Sequence, residues 1–195
     1  MEINKFELNR QIFHIFLGIA IVFLLKFGLI GKGIMPALII LGLFLSYLST
    51  KIKIPVIWLL LQKFEREEKN KFPGNGMIFY FMGAYFALLL FSKEIAMASI
   101  MVLALGDSIS HLYGLHFGRI KHPLSKTKFI EGTVAGFAAG FLGALVFLPW
   151  QEAFLASFAA MTAEAIEIKI GAKQVDDNLI MPLVAGAAVW IMRMV

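Results

Sequence analysis

Apolar runs close to the length of a membrane helix, broken only by short polar stretches, recur along this whole chain. Crossing the hydrocarbon takes about 20 mostly apolar residues in a helix whose backbone satisfies itself. With 59% hydrophobic residues and 19 Phe in 195 positions, one soluble core has too little interior to hide them. The pattern therefore predicts an all-α, polytopic integral membrane helix bundle. Seven spans are expected, at roughly 11–30, 33–50, 75–92, 95–114, 131–149, 151–169 and 178–195. The apolar stretch 54–64 is too short to span. Pro55 suits a helix start and Trp58 an interfacial depth, so 54–69 is expected as one interfacial helix leading into Pro73-Gly74-Asn75-Gly76. The run Glu65-Arg66-Glu67-Glu68-Lys69 reads as a solvated helical face. No stretch is left over for a separate soluble domain, so 1–195 is expected to form a single membrane-embedded catalytic domain. The first run carries no small-residue cleavage pattern and is expected to be retained.

Lys and Arg set the expected orientation. One set of loops holds Lys5, Arg10, Lys51, Lys53, Lys63, Arg66, Lys69, Lys71, Arg119, Lys121, Lys126, Lys128, Lys169 and Lys173, while the other holds only Lys26, Lys32, Lys93 and Arg193. The N-terminus is thus expected in the cytoplasm and the C-terminus outside, in the cell membrane. Topology and anionic lipid account for the net charge of +5. No aromatic-basic stacking platform accompanies it, so no nucleic-acid partner is expected. The lack of cysteine excludes disulfides, thiolate nucleophiles and cysteine metal sites.

Within the fourth run, Gly106-Asp107-Ser108 puts a carboxylate where ionisation is costly unless a cation, a partner or water compensates it. A basic, glycine-punctuated segment follows, with Gly114, Gly118, Lys126, Thr127, Lys128, Glu131 and Gly132. Flexible cations and exposed amides of this kind hold phosphates in many proteins. Asp107, Ser110, His111, Gly114 and Gly118 fall at offsets of three, four, seven and eleven and are expected to share one face of a continuous helix. The glycines serve equally for helix packing and for close approach of a phosphate, and His111 suits a hydrogen bond between helices.

Three further places gather polar or small residues. Arg10, His14 and Gly18 repeat at a spacing of four where the first helix enters the membrane, as an anion site or as a headgroup anchor. Glu164 and Glu167 near the end of the sixth run, with Asp176-Asp177-Asn178 opening the seventh, form an acidic group able to face Asp107. Asp177 or Asn178 suits a helix N-cap, but one cap does not explain two aspartates. Magnesium takes one or two protein carboxylates and completes its shell with water and phosphate, so Asp107 with Asp177 or Glu164 suffices as a metal site. Gly132, Gly136 and Gly140 repeat every four residues and read as a close helix–helix contact.

These residues resemble the CTP-dependent polyprenol kinases, the family of dolichol kinase, phytol kinase and related lipid kinases. The family's nucleotide motif reads D-x-x-A-x-x-x-G-x-x-x-G, eight residues, then K-K-T-x-E-G. Asp107, Gly114, Gly118, Lys128, Glu131 and Gly132 match it in register, with Ser110, Thr127 and Phe129 standing at its alanine, first lysine and threonine. Arg10-xxx-His14-xxx-Gly18, Gly76-Met77-Ile78-Phe79-Tyr80, and Glu164 followed by Asp176-Asp177-Asn178-Leu179 and Pro182 are similar to its opening, middle and closing patterns. The resemblance implies transfer of the CTP γ-phosphoryl group to the terminal hydroxyl of a membrane isoprenoid alcohol, with Mg2+. It implies catalytic roles for Asp107, Lys128, Glu131 and Glu164, and metal ligation by Asp107, Asp177 and Glu164. Nucleotide contacts are expected from Arg10, His14, Ser108, Ser110, Gly114, Gly118, Lys126, Thr127, Lys128 and Gly132. A lipid cytidylyltransferase making a CDP-lipid uses the same kinds of group. A small transporter with Asp107, Glu164 and His111 along an ion path is the rival of another class, disfavoured by the absence of an inverted repeat.

Overall fold

The computed structural model describes residues 5–65, 72–166, 169–170 and 173–195. Arg66, Glu67, Glu68, Lys69, Lys71 and Glu167, part of the expected solvated face, basic loop and acidic group, lie outside the described residues. The regular structure of the described residues is helical apart from a two-residue antiparallel pairing of Lys169–Ile170 with Lys173–Gln174 and a single antiparallel bridge between Lys121 and Phe129. Its helices are α1 (Lys5–Lys26), α2 (Ile34–Ser49), α3 (Pro55–Phe64), α4 (Asn75–Leu90), α5 (Lys93–Met101), α6 (Ser108–Phe117), α7 (Ile130–Ala144), α8 (Trp150–Ile166) and α9 (Asp177–Met192). A π-helical segment, Val102–Asp107, joins α5 and α6 into one rod, Lys93–Phe117.

Each expected span coincides with a helix, but the boundaries move for local reasons. The first helix already includes Lys5, Glu7 and Arg10, and it stops at Lys26 because Gly28 turns left-handed at φ 71°. The fifth stops at Ala144, ahead of Pro149, whose ring disfavours helical geometry at Leu148. By length and composition, α1 and the rod are long and apolar enough to cross a membrane; the other apolar helices are shorter. The two candidates differ in surroundings, since α1 keeps most of its apolar surface outward while the rod is mostly enclosed. The helix over 55–64 opens at Pro55 as expected and buries none of its residues. Its Phe64 ring stacks on Phe13 of α1 at 4.5 Å. Glu65 does more than solvate a face, accepting the Gly74 amide at 2.6 Å.

Large apolar side chains also face outward around the bundle, among them Phe16, Phe23, Ile40, Phe44, Leu90, Leu142 and Phe158. The interior instead favours small residues, with Ala84, Ala87, Ala96, Ala104, Ala156, Ala160 and Ala185 fully buried. Helices that gain nothing from hiding apolar surface in lipid associate by close approach, which small side chains permit. The glycine stripe of α7 shows this directly. A methyl carbon at Gly136 would lie 2.6 Å from the Gly106 carbonyl oxygen and 2.7 Å from Ser110 and Met161, and one at Gly140 2.7 Å from the Ser157 hydroxyl. The expected packing seam therefore joins α7 to the rod and to α8.

Side-chain bonds sort the helix ends into two groups. Glu7 meets His111, Asn178 donates to the Gly76 carbonyl at 3.3 Å, and Lys128 joins α8 to α9 at one end. Lys93 donates to the Lys26 carbonyl and Arg193 pairs with Glu152 at 2.7 Å at the other. Pro182 lacks the amide that would bond the Asn178 carbonyl, and Gly83 of α4 packs against that exposed oxygen and the proline ring. The middle and closing sequence patterns thus meet in space.

Gly136→Ala should lower stability by about 1–3 kcal/mol, since backbone as well as side chains must give way. Gly31→Ala, with open space around it, should be nearly neutral. Thermal unfolding of both in detergent checks this, and equal melting temperatures would mean that the α7 crossing has slack.

Candidate functional site

The π segment ends on Asp107, and π-helical turns break the regular register of a helix. That wide turn lies ahead of Asp107, and from Asp107 onward the backbone is regularly α-helical, so Asp107, Ser110, His111 and Gly114 share one face as expected. Gly118 leaves the helix altogether, as its C-cap with ψ 125°. Gly114 lies against Gly132 at the α6–α7 crossing, and Phe129 fills the space over Gly118. These glycines are spent on close packing, which also seats the loop that follows.

That loop is a short hairpin. His122 N–H donates to the Lys128 carbonyl and Ile130 N–H to the Ile120 carbonyl, both at 3.0 Å. Lys121 lies over the Phe129 ring at 3.9 Å, so the phenylalanine that departs from the family pattern packs the hairpin shut. At its tip the Ser125 hydroxyl, largely buried, accepts the amides of Thr127 and Lys128, both at 3.1 Å. This turn sets where Lys128 points. Lys126 and Thr127 are exposed beside it.

Lys128 reaches into the bundle between the end of α8 and the start of α9. Its ammonium is 2.6 Å from Glu164 Oε1, 2.6 Å from the Glu164 carbonyl oxygen and 3.2 Å from Asp177 Oδ2. Burial works against its charge, but the Glu164 and Asp177 carboxylates outweigh that and hold it above the ordinary lysine range. Asp107, Glu164 and Asp177 each present an oxygen within 4.8 Å of the others. The N-cap of α9 is Asp176, not Asp177 or Asn178: its carboxylate accepts the Asn178 amide at 3.1 Å and the Asn178 side chain at 2.8 Å. Asp177 is left for the cluster. Glu164 is 3% exposed and its Oε2 has no hydrogen-bond partner among the described residues.

Hard carboxylate oxygens are the donors that magnesium takes. Three carboxylates carry three formal negative charges, so the group keeps an excess of negative charge even with the Lys128 ammonium against two of them. The residues present therefore fit the metal that the resemblance implies.

Other expected site residues lie elsewhere. Glu131 caps the hairpin, accepting the amides of Arg119 at 3.2 Å and Ile120 at 3.1 Å, and is outside the carboxylate group. Arg10 pairs with Glu7 at 3.0 Å, and His111 meets the same carboxylate at 3.0 Å, between helices as expected. The His14 ring sits edge-on to Tyr80 at 5.4 Å, and Gly18 packs on the Tyr80 hydroxyl and Ala104. Ser108 and Ser110 are buried in the rod. Glu7 and Ser125 escaped as site residues, and Tyr80 entered only as part of the middle pattern. Only Glu7 left a signal, its i,i+3 spacing to Arg10.

The chain is 30% identical over 183 residues to an uncharacterised protein of Methanocaldococcus jannaschii, covering 91% of this chain and 90% of that one. It is 25% identical over 142 residues to CTP-dependent diacylglycerol kinase 1 of Schizosaccharomyces pombe, covering 64% of this chain and 63% of the enzyme. It is 27% identical over 198 residues to probable phytol kinase 2, chloroplastic, of Oryza sativa, covering 91% of this chain and 63% of that protein. The chain thus spans less than two thirds of the length of these kinase relatives. No family model and no solved structure matches it. Apolar helices with outward-facing aromatic and aliphatic side chains, together with these relatives, mark a membrane protein. The chain belongs to the family of CTP-dependent polyprenol and related lipid kinases.

Ser125→Ala leaves the Thr127 and Lys128 amides without their acceptor. A loss of about 1–2 kcal/mol is expected, with turnover reduced because Lys128 is less firmly aimed. Thermal unfolding and steady-state kinetics check it, and Ser125→Thr should restore both.

Proposed function

We propose that the protein is a CTP-dependent kinase that phosphorylates the terminal hydroxyl of a membrane isoprenoid alcohol. The observation that carries this reading is the meeting of Asp107, Glu164, Asp177 and Lys128 at one end of an apolar bundle. Phosphoryl transfer needs positioning and charge neutralisation more than a covalent nucleophile, and these groups supply both. The rice phytol kinase relative supports an isoprenoid acceptor, because its likeness covers 91% of this chain.

In this reading Asp107, Asp177 and Glu164 hold Mg2+, which when bound offsets the negative charge of the phosphates. Lys128 brings an ammonium to the transferring group, and Lys126 and Thr127, exposed on the same hairpin, meet the nucleotide from solvent. The acceptor hydroxyl oxygen bonds to the γ-phosphorus as the bond to the CDP oxygen breaks, and the hydroxyl proton passes to Glu164. Glu164 replaces Glu131 as the base, because Glu131 is committed to the hairpin amides and Glu164 keeps an oxygen without a partner among the described residues.

The topology belongs to the same proposal: seven membrane helices, α1, α2, α4, the rod, α7, α8 and α9, with α3 at the interface. The N-terminus and the hairpin face the cytoplasm and the C-terminus lies outside. The grouping of helix ends supports it, since the ends that carry Glu7, His111, Lys128, Asp177 and Gly76 are those with the basic loops.

Labelled CTP or ATP, magnesium and a panel of isoprenoid alcohols and diacylglycerol should yield CDP and an isoprenoid phosphate. Pyrophosphate with a CDP-lipid would identify a cytidylyltransferase instead, and ion flux without nucleotide turnover a transporter. Asp107→Asn keeps the size and deletes the charge, so turnover should drop by orders of magnitude in a protein that still inserts; near-normal turnover would remove Asp107 from the site. Cysteine at Leu124, exposed on the hairpin, should react with an impermeant thiol reagent only in inverted or opened vesicles. Labelling in intact cells would reverse the orientation.

A further inference from the structure

An ammonium group has three N–H donors. Lys128 spends them on Glu164 Oε1, the Glu164 carbonyl oxygen and Asp177 Oδ2, at 2.6, 2.6 and 3.2 Å. No donor is left over for a phosphate. The same two carboxylates, with Asp107, make up the only group of three metal-ligating side chains among the described residues. A cation bound by Glu164 and Asp177 would then face an ammonium already in contact with both, and like charges at such range repel strongly. The three carboxylates and Lys128 form a buried charge cluster in which the ammonium fills the cationic place.

We propose that Lys128 occupies the place of the divalent cation in the nucleotide-free protein and exchanges with it when nucleotide arrives, so that metal and nucleotide bind together and not in isolation. The exchange rests on the kinase reading only in naming CTP as the nucleotide. Triphosphate oxygens give the ammonium new acceptors, and its departure frees Glu164 and Asp177 for the metal. The hairpin backbone need not move, because Ser125 anchors the Thr127 and Lys128 amides while the flexible lysine stem carries the charge across. Coupling of this kind is reciprocal: whatever factor nucleotide contributes to metal affinity, metal contributes to nucleotide affinity. It also keeps three carboxylates in an apolar bundle from being left uncompensated at any stage.

Binding of Mn2+ to the purified full chain in detergent, read from the free-ion signal in electron paramagnetic resonance, tests the exchange without any turnover. A non-hydrolysable CTP analogue, corrected for its own Mn2+ binding, should tighten metal binding to the wild type by about tenfold or more. Lys128→Met should bind Mn2+ alone about tenfold or more tighter than the wild type does, and the analogue should add little to it. Lys128→Gln serves as the second variant if circular dichroism shows Lys128→Met to be unfolded. Wild-type binding that is equally tight with and without analogue, or a folded Lys128 variant with no gain in Mn2+ affinity, overturns the exchange. Failure here and failure of the kinase reading are separable. A protein that makes lipid phosphate while its Lys128 variants gain no metal affinity loses the exchange alone, and one that shows the exchange but makes no lipid phosphate loses the kinase reading alone.

Discussion

Charge burial in an apolar bundle governs this structure. An isolated carboxylate there is expensive, and three with oxygens within 4.8 Å of one another are more so. The Lys128 ammonium, arriving from outside the helices, is what makes the arrangement tolerable. Much of the surrounding architecture works to deliver that one group. The hairpin closes through paired backbone bonds, Phe129 fills the space above Gly118, Ser125 fixes the tip, and Glu131 caps the far side. The glycines of α7 let it lie close against the rod, so the hairpin at its start is held beside the carboxylates.

The π segment is the second decisive element. Its wide turn separates the apolar α5 from the polar α6, and from Asp107 on the helix is regular, with Asp107 joining Glu164 and Asp177 while Ser110 and Gly114 pack on α7. Packing and chemistry are thereby separated along one rod. The N-cap of α9 makes a similar division between neighbours, with Asp176 closing the helix end and Asp177 turned to the cluster.

A second polar knot, Glu7 with Arg10 and His111, ties α1 to α6 at the same end of the bundle. Read along the chain, Arg10 of this knot and His14 resemble a ligand site, because an arginine and a histidine on one helix face suit an anion. Arg10 is matched to Glu7 within α1, while His14 and Gly18 lie on Tyr80 of α4 and place α1 against that neighbour.

Hydrophobic run length alone determined the helical class and the position of each helix core, because a lipid-facing segment must satisfy its own backbone and has a minimum length. The spacing from Asp107 to Gly132 was also enough to resemble the right family. Exact ends were less legible, since they turn on single residues such as Gly28 and Pro149. Only the tertiary structure decided which polar residues meet. Asp107, Lys128, Glu164 and Asp177 come from separate segments, and periodicity within one segment carries no information about approach between segments. Nor does it reveal a π turn, a serine that anchors a loop, or that Glu131 is taken by backbone amides while Glu164 keeps an oxygen free. Those outcomes depend on which groups remain unpaired after the helices have packed, a property of the whole bundle and not of any stretch of chain.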